Sequence, residues 1–382
     1  MKPFDLVVVG GGILGTSHAL MAARLGKYVA LLEKDNQPQG ATVRNFGQVV
    51  PSGLAGRWHD YGRRSVQLYK EFQEEFDLTV RAAGSVYVAS DAEEWQIAQE
   101  SAEVFNEKDF PNELLTAEKT LALFPYLRNS YVKGSIFFPD DLSVEPDKMV
   151  HRLLQYSIQK YGLDYRPDSA VLSCETRGEL IELKTARGEK LHAERVVVCS
   201  GSEFSLLFPE IYVQSGIVVS KLQMLQTPSL PQVKMPENVL TGLTLRRYEA
   251  FEECPSFASL TVPPHYADLK KWGVHLLFKQ SADGSIILGD SHEYASAPKV
   301  GDLSFDLKEY INELMLKEAE RIVNFPVRGI ARSWAGYYAQ HSCEIFEREV
   351  EPRLHIVTGI GGKGMTSSLG FAEENVGRWF GE

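Results

Sequence analysis

Residues 6–15 run Leu6-Val7-Val8-Val9-Gly10-Gly11-Gly12-Ile13-Leu14-Gly15. An apolar, β-branched run that ends in glycines has the pattern of a strand buried in a parallel sheet. Gly10, Gly12 and Gly15 stand at GxGxxG spacing, and the stretch after them keeps a small inner helix face at Ala19, Ala22 and Ala23. A second apolar run, Tyr28 to Leu32, ends at Glu33, 23 positions after Gly10. Strand, glycine turn, helix, strand and terminal acid in this order are the parts of a βαβ dinucleotide unit. Gly10 permits the tight turn, Gly12 lets a pyrophosphate approach the backbone, and Gly15 lets the helix pack closely on the strand. The helix N-terminus offers free N–H groups and the positive end of its dipole. Glu33 can accept from both ribose hydroxyls, which disfavours a 2′-phosphate.

The rest of the composition narrows the class. A length of 382 residues suggests two or three domains, or one large composite. With 44% hydrophobic and 24% charged residues, the chain is neither disordered, collagen-like nor coiled coil. A net charge of −11 makes nucleic acid and anionic membrane poor partners, so any anion must be held by a local device. Cys174, Cys199, Cys254 and Cys343 form no CxxC pair. Neither a metal site nor a disulfide framework is expected, and a reducing cytoplasm is the expected location. Met1-Lys2 and the apolar run after it superficially resemble a signal peptide. Asp5 interrupts that run, which ends in glycines and not in a cleavage site. No uninterrupted apolar stretch reaches about 18 residues, so no membrane span is expected.

Two more segments bear on which dinucleotide is held. Gly40-Ala41-Thr42-Val43-Arg44-Asn45-Phe46-Gly47 follows the second strand directly and is small and polar. It suits a loop wrapped around a cofactor larger than NAD. Near the C-terminus, His355-Ile356-Val357-Thr358-Gly359-Ile360-Gly361-Gly362-Lys363-Gly364-Met365-Thr366 has the pattern of strand, glycine turn and helix start. This second helix N-terminus suits an electron-rich group such as the N1–C2=O2 edge of a flavin, which becomes anionic on reduction.

With these blocks the sequence resembles the D-amino-acid oxidase-type superfamily of FAD-dependent amine oxidoreductases, which includes glycine, sarcosine and D-amino-acid oxidases. Arg195-Val196-Val197-Val198-Cys199-Ser200-Gly201 is similar to that family's strand before a pyrophosphate-facing loop. A narrower set is Thr42 to Gly47, Lys221 to Thr227, Gly289-Asp290-Ser291-His292-Glu293-Tyr294 and Gly361 to Thr366. It resembles a bacterial subfamily associated with aminophosphonate catabolism. The resemblance implies FAD, held without a covalent link, and hydride transfer from a small amine to flavin N5. The resulting imine hydrolyses to a carbonyl product. The implied substrate is 2-aminoethylphosphonate or its N-methyl form, with oxygen or another electron acceptor. The protein would be a monomer or homodimer.

Pattern and resemblance together predict an α/β fold. A Rossmann-type FAD-binding domain (residues 1–83, 144–210 and 326–382) is interleaved with an α+β substrate domain built on an antiparallel sheet (84–143 and 211–325). A helix is predicted over 56–76, with Tyr61, Ser65, Leu68, Phe72 and Phe76 on one face. A strand follows at 84–89, then a capping box at Ser90 and Glu93. Residues 91–130 are charged and helical in character. Pro146 and Asp147 open a helix with Val150, Leu153, Leu154 and Ile158 buried. Gly178 and Gly188 mark hairpin turns between strands in 165–200, and Asp283-Gly284 marks another between 274–278 and 286–288. Leu307, Ile311, Leu314 and Ile322 form a helical stripe.

The predicted cofactor contacts are Gly10, Gly12, Ile13, Leu14, Gly15, Glu33, Lys34, Thr42, Arg44, Asn45, Phe46, Gly47, Val171, Ser200 and Gly201. The turn Gly361, Gly362, Lys363, Gly364, Met365 and Thr366 completes them. Backbone N–H groups of Gly364 to Thr366 are placed to face the flavin's O2 edge. Some relatives carry lysine where Thr366 stands, which leaves oxidase and dehydrogenase both open. For the substrate, cations are needed to hold an anionic end, and a phosphonate dianion wants at least two donors. Arg246, with Arg247 beside it, His275 and Arg332 are the candidates. If 246–247 is a strand, the two arginines point to opposite faces and only one reaches a ligand. His292, Arg332 and Thr366 are the candidate catalytic residues. Lys221, Lys279 and Arg328 are further available cations, each equally explicable as a structural or surface charge. Competing readings are an oxidase or dehydrogenase of D-amino or N-methyl amino acids, a flavin-binding subunit of a larger complex, and an NAD-dependent dehydrogenase. A cysteine tether at Cys343 is disfavoured by its context, Gln340-His341-Ser342-Cys343-Glu344.

Overall fold

The computed structural model describes residues 2–381. The run from Phe4 to Val9 is a central strand, paired parallel with Val29–Leu32 on one side and Lys190–Val198 on the other. Its apolar side chains are buried on both faces, Leu6 and Val8 in the core with helix Ile13–Arg24 and Val7 in the core with the hairpin at 171–185, which explains a continuous hydrophobic run where alternation would mark a half-exposed strand. Among the described residues this sheet has eight strands. Leu354–Thr358 adds parallel to Lys190–Val198, and Phe346–Glu351 folds back antiparallel at the edge. The hairpin strands Val171–Arg177 and Leu180–Thr185 turn at Gly178 (φ +65°), and Gly188 (φ +81°) turns the chain into Lys190–Val198.

A layer of four helices covers one face of this sheet. Ile13–Arg24 packs against Pro146–Tyr161 and against Gly364–Phe380, which also packs on Gly56–Glu75. The last crossing is close because a Cβ on Gly370 would lie 2.5 Å from the Tyr61 carbonyl. Helix Gly56–Glu75 buries Trp58, Ser65, Leu68, Tyr69 and Phe72, while Tyr61 and Phe76 are only half-buried.

A second, nine-stranded sheet, among the described residues, runs in the order Glu293–Ser296, Val218–Gln226, Ile286–Gly289, Leu277–Gln280, Asn238–Thr241, Ser85–Ala89, Gly134–Phe138, Glu113–Thr116, with Arg332–Gln340 added on Val218–Gln226. Most of its pairs are antiparallel, and Ser85–Ala89 with Asn238–Thr241 is parallel. The hairpin turn at Asp283-Gly284 forms as predicted, with Gly284 at φ +84°.

Several local expectations are corrected. The helix Ala92–Glu107 is capped by Asp91, whose carboxylate accepts from the Glu94 N–H. The reciprocal contact comes from Ser90, whose N–H and hydroxyl both donate to Glu94. The box is therefore one residue later than Ser90 and Glu93, and Glu94 is buried beneath it. The charged stretch after this helix contains the strand Glu113–Thr116. Its exposed edge position accounts for its polar look, since only Leu115 is buried. In Pro146–Tyr161, Ile158 is 40% exposed and Ser157 takes its place inside. Ser157 can be buried because its hydroxyl donates to the Leu153 carbonyl at 2.7 Å. Leu307 precedes the helix Glu309–Ile322, whose core face is Ile311, Met315, Ala319 and Ile322. Arg332–Gln340 lies in the second sheet, paired along its whole length with Val218–Gln226. The return to the first sheet therefore comes after the predicted boundary at 326.

Candidate active site

A cavity of about 1180 Å³ is lined from both sheets. Its first end is built from backbone. Gly10 sits at φ +105°, where a Cβ would lie 2.4 Å from the Cys199 carbonyl. A Cβ on Gly15 would lie 1.9 Å from the Gly10 carbonyl. These two glycines let strand, turn and helix close on one another. Gly12 instead faces open space, with only the Thr42 hydroxyl near its Cβ position, at 3.4 Å. Gly12 is the N-cap of helix Ile13–Arg24 and gives it no side-chain cap, and the first turn holds no acid. The helix Gly364–Phe380 likewise starts without a side-chain cap or an acid in its first turn. Both positive dipole ends thus belong to one cavity wall, where an anion is favoured.

Glu33 is buried at the same end. One carboxylate oxygen accepts from the Gly11 N–H at 2.8 Å, the other from the Asp35 N–H at 3.1 Å. Each oxygen has a second lone pair, so the fixed carboxylate can still accept from ribose hydroxyls. Thr42 accepts from the Ile13 N–H at 2.9 Å and anchors the following loop. Asn45 spends its amide inside that loop, donating to the Thr42 carbonyl at 2.7 Å and accepting from the Gly47 N–H at 2.6 Å. The Thr366 hydroxyl accepts from the Val50 N–H at 3.1 Å. The Ser200 hydroxyl donates to the Glu203 carbonyl at 3.0 Å.

Of the residues expected at the cofactor, all but Gly15 and Gly47 line the cavity. Gly15 does the packing work expected of it. Gly47 sits at φ +76° with its Cβ position 2.2 Å from the Val144 carbonyl, so it fixes the loop from behind. Lys363 lines the cavity in an ion pair with Glu249, Nζ to Oε2 3.0 Å. The glycine cradle, the two helix N-termini without caps of their own and the oriented Glu33 fit a dinucleotide cofactor such as FAD.

The other end of the cavity is built from side chains. His275 and Asp290 exchange backbone hydrogen bonds across the hairpin, at 3.1 and 3.0 Å, which sets them side by side. His275 Nδ1 lies 3.0 Å from Asp290 Oδ1 but is not aligned for a hydrogen bond, and both buried atoms lack a hydrogen-bond partner. His292 shares its Nδ1 proton with the Gly273 carbonyl at 2.9 Å and stands 3.6 Å from Asp290 Oδ1. Arg247 donates to the same carbonyl at 3.0 Å and to the Tyr294 hydroxyl at 3.1 Å. Tyr248 and Tyr338 complete the wall.

Burial dominates the electrostatics here. It holds His275 well below the usual imidazole range, with Arg247 adding to the effect. It brings His292 down to about 3, opposed by Asp290 and aided by Arg247 and His275. Burial raises Asp290, partly offset by His292 and Arg247. Tyr248 and Tyr338 are raised for the same reason.

Two expected substrate residues are elsewhere. Arg246 forms ion pairs with Asp91, Glu93 and the buried Glu94, at 2.6, 3.1 and 2.6 Å, and does not line the cavity. Its neighbour Arg247 is the one that does. The helix Gly242–Leu245 ends at this point, so the two side chains diverge by a helical turn angle and not by strand alternation. Arg332 is exposed at the first position of its strand, stacked near the Trp334 ring, and outside the cavity. Lys221 is buried against the Leu303 and Asp306 carbonyls, Lys279 against Glu145, and Arg328 is held on the surface by Glu313 and Glu320. Asp290, Arg247 and Tyr338 are the site residues that spacing alone does not single out. Pairing across the hairpin singles out Asp290, and the end of a short helix singles out Arg247.

Residues 5–376 match the model of the FAD dependent oxidoreductase (DAO) family. An opine oxidase subunit of Rhizobium meliloti is 26% identical over 353 residues, spanning 88% of this chain and 82% of that one. A glycine oxidase of Bacillus licheniformis is 28% identical over 220 residues, 55% of this chain and 57% of that one. In fold, the chain is similar to the crystal structure of glycine oxidase from Geobacillus kaustophilus. The TM-score is 0.76 at 17% identity, over 99% of this chain and 95% of that one. No helix among the described residues is long and apolar enough to cross a membrane.

Proposed function

The chain belongs to the family of FAD dependent oxidoreductases, and on that premise we propose that it oxidises a small amine with an anionic end, an aminophosphonate such as 2-aminoethylphosphonate or its N-methyl form. Hydrolysis of the imine product would give a carbonyl compound and ammonia or methylamine. The observation that carries this reading is the charge at the side-chain end of the cavity. Arg247 lines it and is held in place by the Gly273 carbonyl and Tyr294, while Arg44 lines the same cavity from the loop at 40–47. A guanidinium at that end suits the anionic group of a small substrate.

FAD, when bound, supplies the acceptor for two electrons. The chain's own contribution is position and electrostatics. Gly10, Gly12, Glu33 and the two helix N-termini would hold the cofactor, and the N–H groups of Gly364 to Thr366 would favour added negative charge at that wall. Arg247 would fix the substrate's anionic end, and the half-buried Tyr248, Tyr338 and His292 around it would restrict water and orientation. His292 stays a candidate for contact with the substrate, whereas Arg332 is replaced in that role by Arg247. The names of the relatives favour amino-acid substrates as the first alternative. The Rhizobium protein is named as one subunit of an oxidase, which favours a second alternative, that the chain works within a larger complex.

The test is an anaerobic screen in which carboxylate amines are matched with the corresponding phosphonates. Bleaching of the flavin by 2-aminoethylphosphonate or its N-methyl form, at least tenfold faster than by glycine or sarcosine, is the expected outcome. Equal rates would remove the phosphonate assignment. No bleaching by any amine, in a protein that carries flavin when expressed alone, would favour the larger complex.

A further inference from the structure

We propose that His275, Asp290 and His292 bind a divalent transition-metal ion on the wall of the cavity. One nitrogen of each imidazole and one carboxylate oxygen all lie within 4.8 Å of one another. Around an ion bound at about 2.0–2.2 Å, tetrahedral ligand atoms stand about 3.3–3.5 Å apart, so loading requires closure of up to about 1.5 Å.

The hairpin already places two of the three ligands. His275 and Asp290 are directly opposite, locked by their mutual backbone bonds, and His292 follows two residues after Asp290. A second and independent observation points to a ligand. His275 Nδ1 and Asp290 Oδ1 are buried, 3.0 Å apart, and have no hydrogen-bond partner. Unpaired buried polar atoms are costly and call for an explanation. An ion between them satisfies both lone pairs at once. His292 Nδ1 stands 3.6 Å from Asp290 Oδ1 and bonds to the Gly273 carbonyl at 2.9 Å, so an ion held through Nδ1 takes the place of that bond.

Two imidazoles and one carboxylate make a three-ligand set with positions left open, a donor set that suits zinc or iron(II) more than magnesium or calcium. All three residues line the cavity, so the open positions face its interior. Arg247 is the charged neighbour, and it is held by Gly273 and Tyr294. The ion, Asp290 and Arg247 together leave two formal positive charges, which a dianionic oxyanion would balance. This last step rests on the aminophosphonate reading; uptake of the ion does not.

The experiment uses the flavin-loaded protein, stripped with a chelator and dialysed against zinc chloride. Elemental analysis is expected to find about one zinc per chain. In chelator competition, Asp290→Asn and His292→Ala should each weaken zinc binding at least about tenfold with flavin content unchanged. Cys343→Ser, which removes an exposed thiol, should leave uptake as in the parent. Should Asp290→Asn lose its flavin, His275→Gln is read in its place. Less than a tenth of an equivalent in the parent protein, or unaltered binding in the His292 and His275 variants, overturns the inference. Flavin bleaching by amines in a protein that takes up no zinc would leave the proposed function standing while removing the metal. Zinc uptake without bleaching would do the reverse.

Discussion

The two ends of the cavity are made of different material. One is backbone: glycines, helix N-termini and a carboxylate pinned by two N–H groups. The other is side chain: an arginine, two histidines, an aspartate and two tyrosines drawn from segments far apart in sequence. Backbone recognition depends on the shape of a local turn, so it tolerates almost no change in a few positions. Side-chain recognition depends on pairing between distant strands, so a change there alters what is bound and leaves the scaffold intact.

Substitution at Gly10 breaks the first end most severely. Gly10→Ala places a Cβ 2.4 Å from the Cys199 carbonyl at a φ of +105°. The expected product is a colourless or unfolded protein, checked by visible absorbance and by thermal melting. A yellow, folded Gly10→Ala protein would mean that the cradle does not hold the cofactor.

Adjacent arginines then divide the second end from the framework. Arg247→Ala should lower kcat/KM by roughly 100-fold or more while flavin content and melting temperature stay close to the parent, as expected when a charge-assisted contact to substrate is lost. Arg246→Ala should do the opposite. It leaves Asp91, Glu93 and the buried Glu94 facing one another. Breaking such a network costs about 3–5 kcal/mol, which a denaturant titration would detect. If both variants changed the same quantity, the division between site and framework would fail.

A third effect depends on pH and concerns one buried carboxyl. Asp141 lies beneath the turn Pro51–Gly53 and accepts from Ser52, Oγ to Oδ2 2.5 Å. Burial pushes its carboxyl up to about 7, with the Ser52 contacts opposing and Asp140 adding to the rise. The sign follows from the protonated form being favoured in the fold. Its contribution is fully present below the unfolded carboxyl value of about 3.9 and is lost as pH rises through 7. Each pH unit across that window is worth about 1.4 kcal/mol. Asp141→Asn should therefore raise the melting temperature at pH 8 and have little effect near pH 4. An equal change at both pH values would mean that Asp141 is ionised in the fold.

The same contrast explains what can be seen in the sequence. The cofactor end is legible because Gly10 to Gly15, Glu33 and Gly361 to Thr366 carry their task in local spacing. The central strand, the 56–75 helix and the Gly284 turn are legible for the same reason: periodicity and turn chemistry are local. Arg247 is less so, since choosing it over Arg246 requires knowing that a short helix, not a strand, ends there. Arg332 is misplaced by sequence reasoning because its segment lies on the far side of a nine-residue strand pairing. His275 and His292 stand out singly, but Asp290 between them becomes visible only when the hairpin sets it opposite His275.

The cradle at Gly10 is completed by the turn at Gly361 and by strand Leu354–Thr358 beside Lys190–Val198. Roughly 350 residues separate the two halves, which at about 5–20 residues per second is roughly 20–70 s of synthesis. During that interval the growing chain has the first half of a nucleotide site and no means of closing it. The cavity wall is therefore whole only once Gly364–Phe380 has been made. The last helix, Gly364–Phe380, acts as the latch: it packs on both Ile13–Arg24 and Gly56–Glu75 only after everything between them has been made.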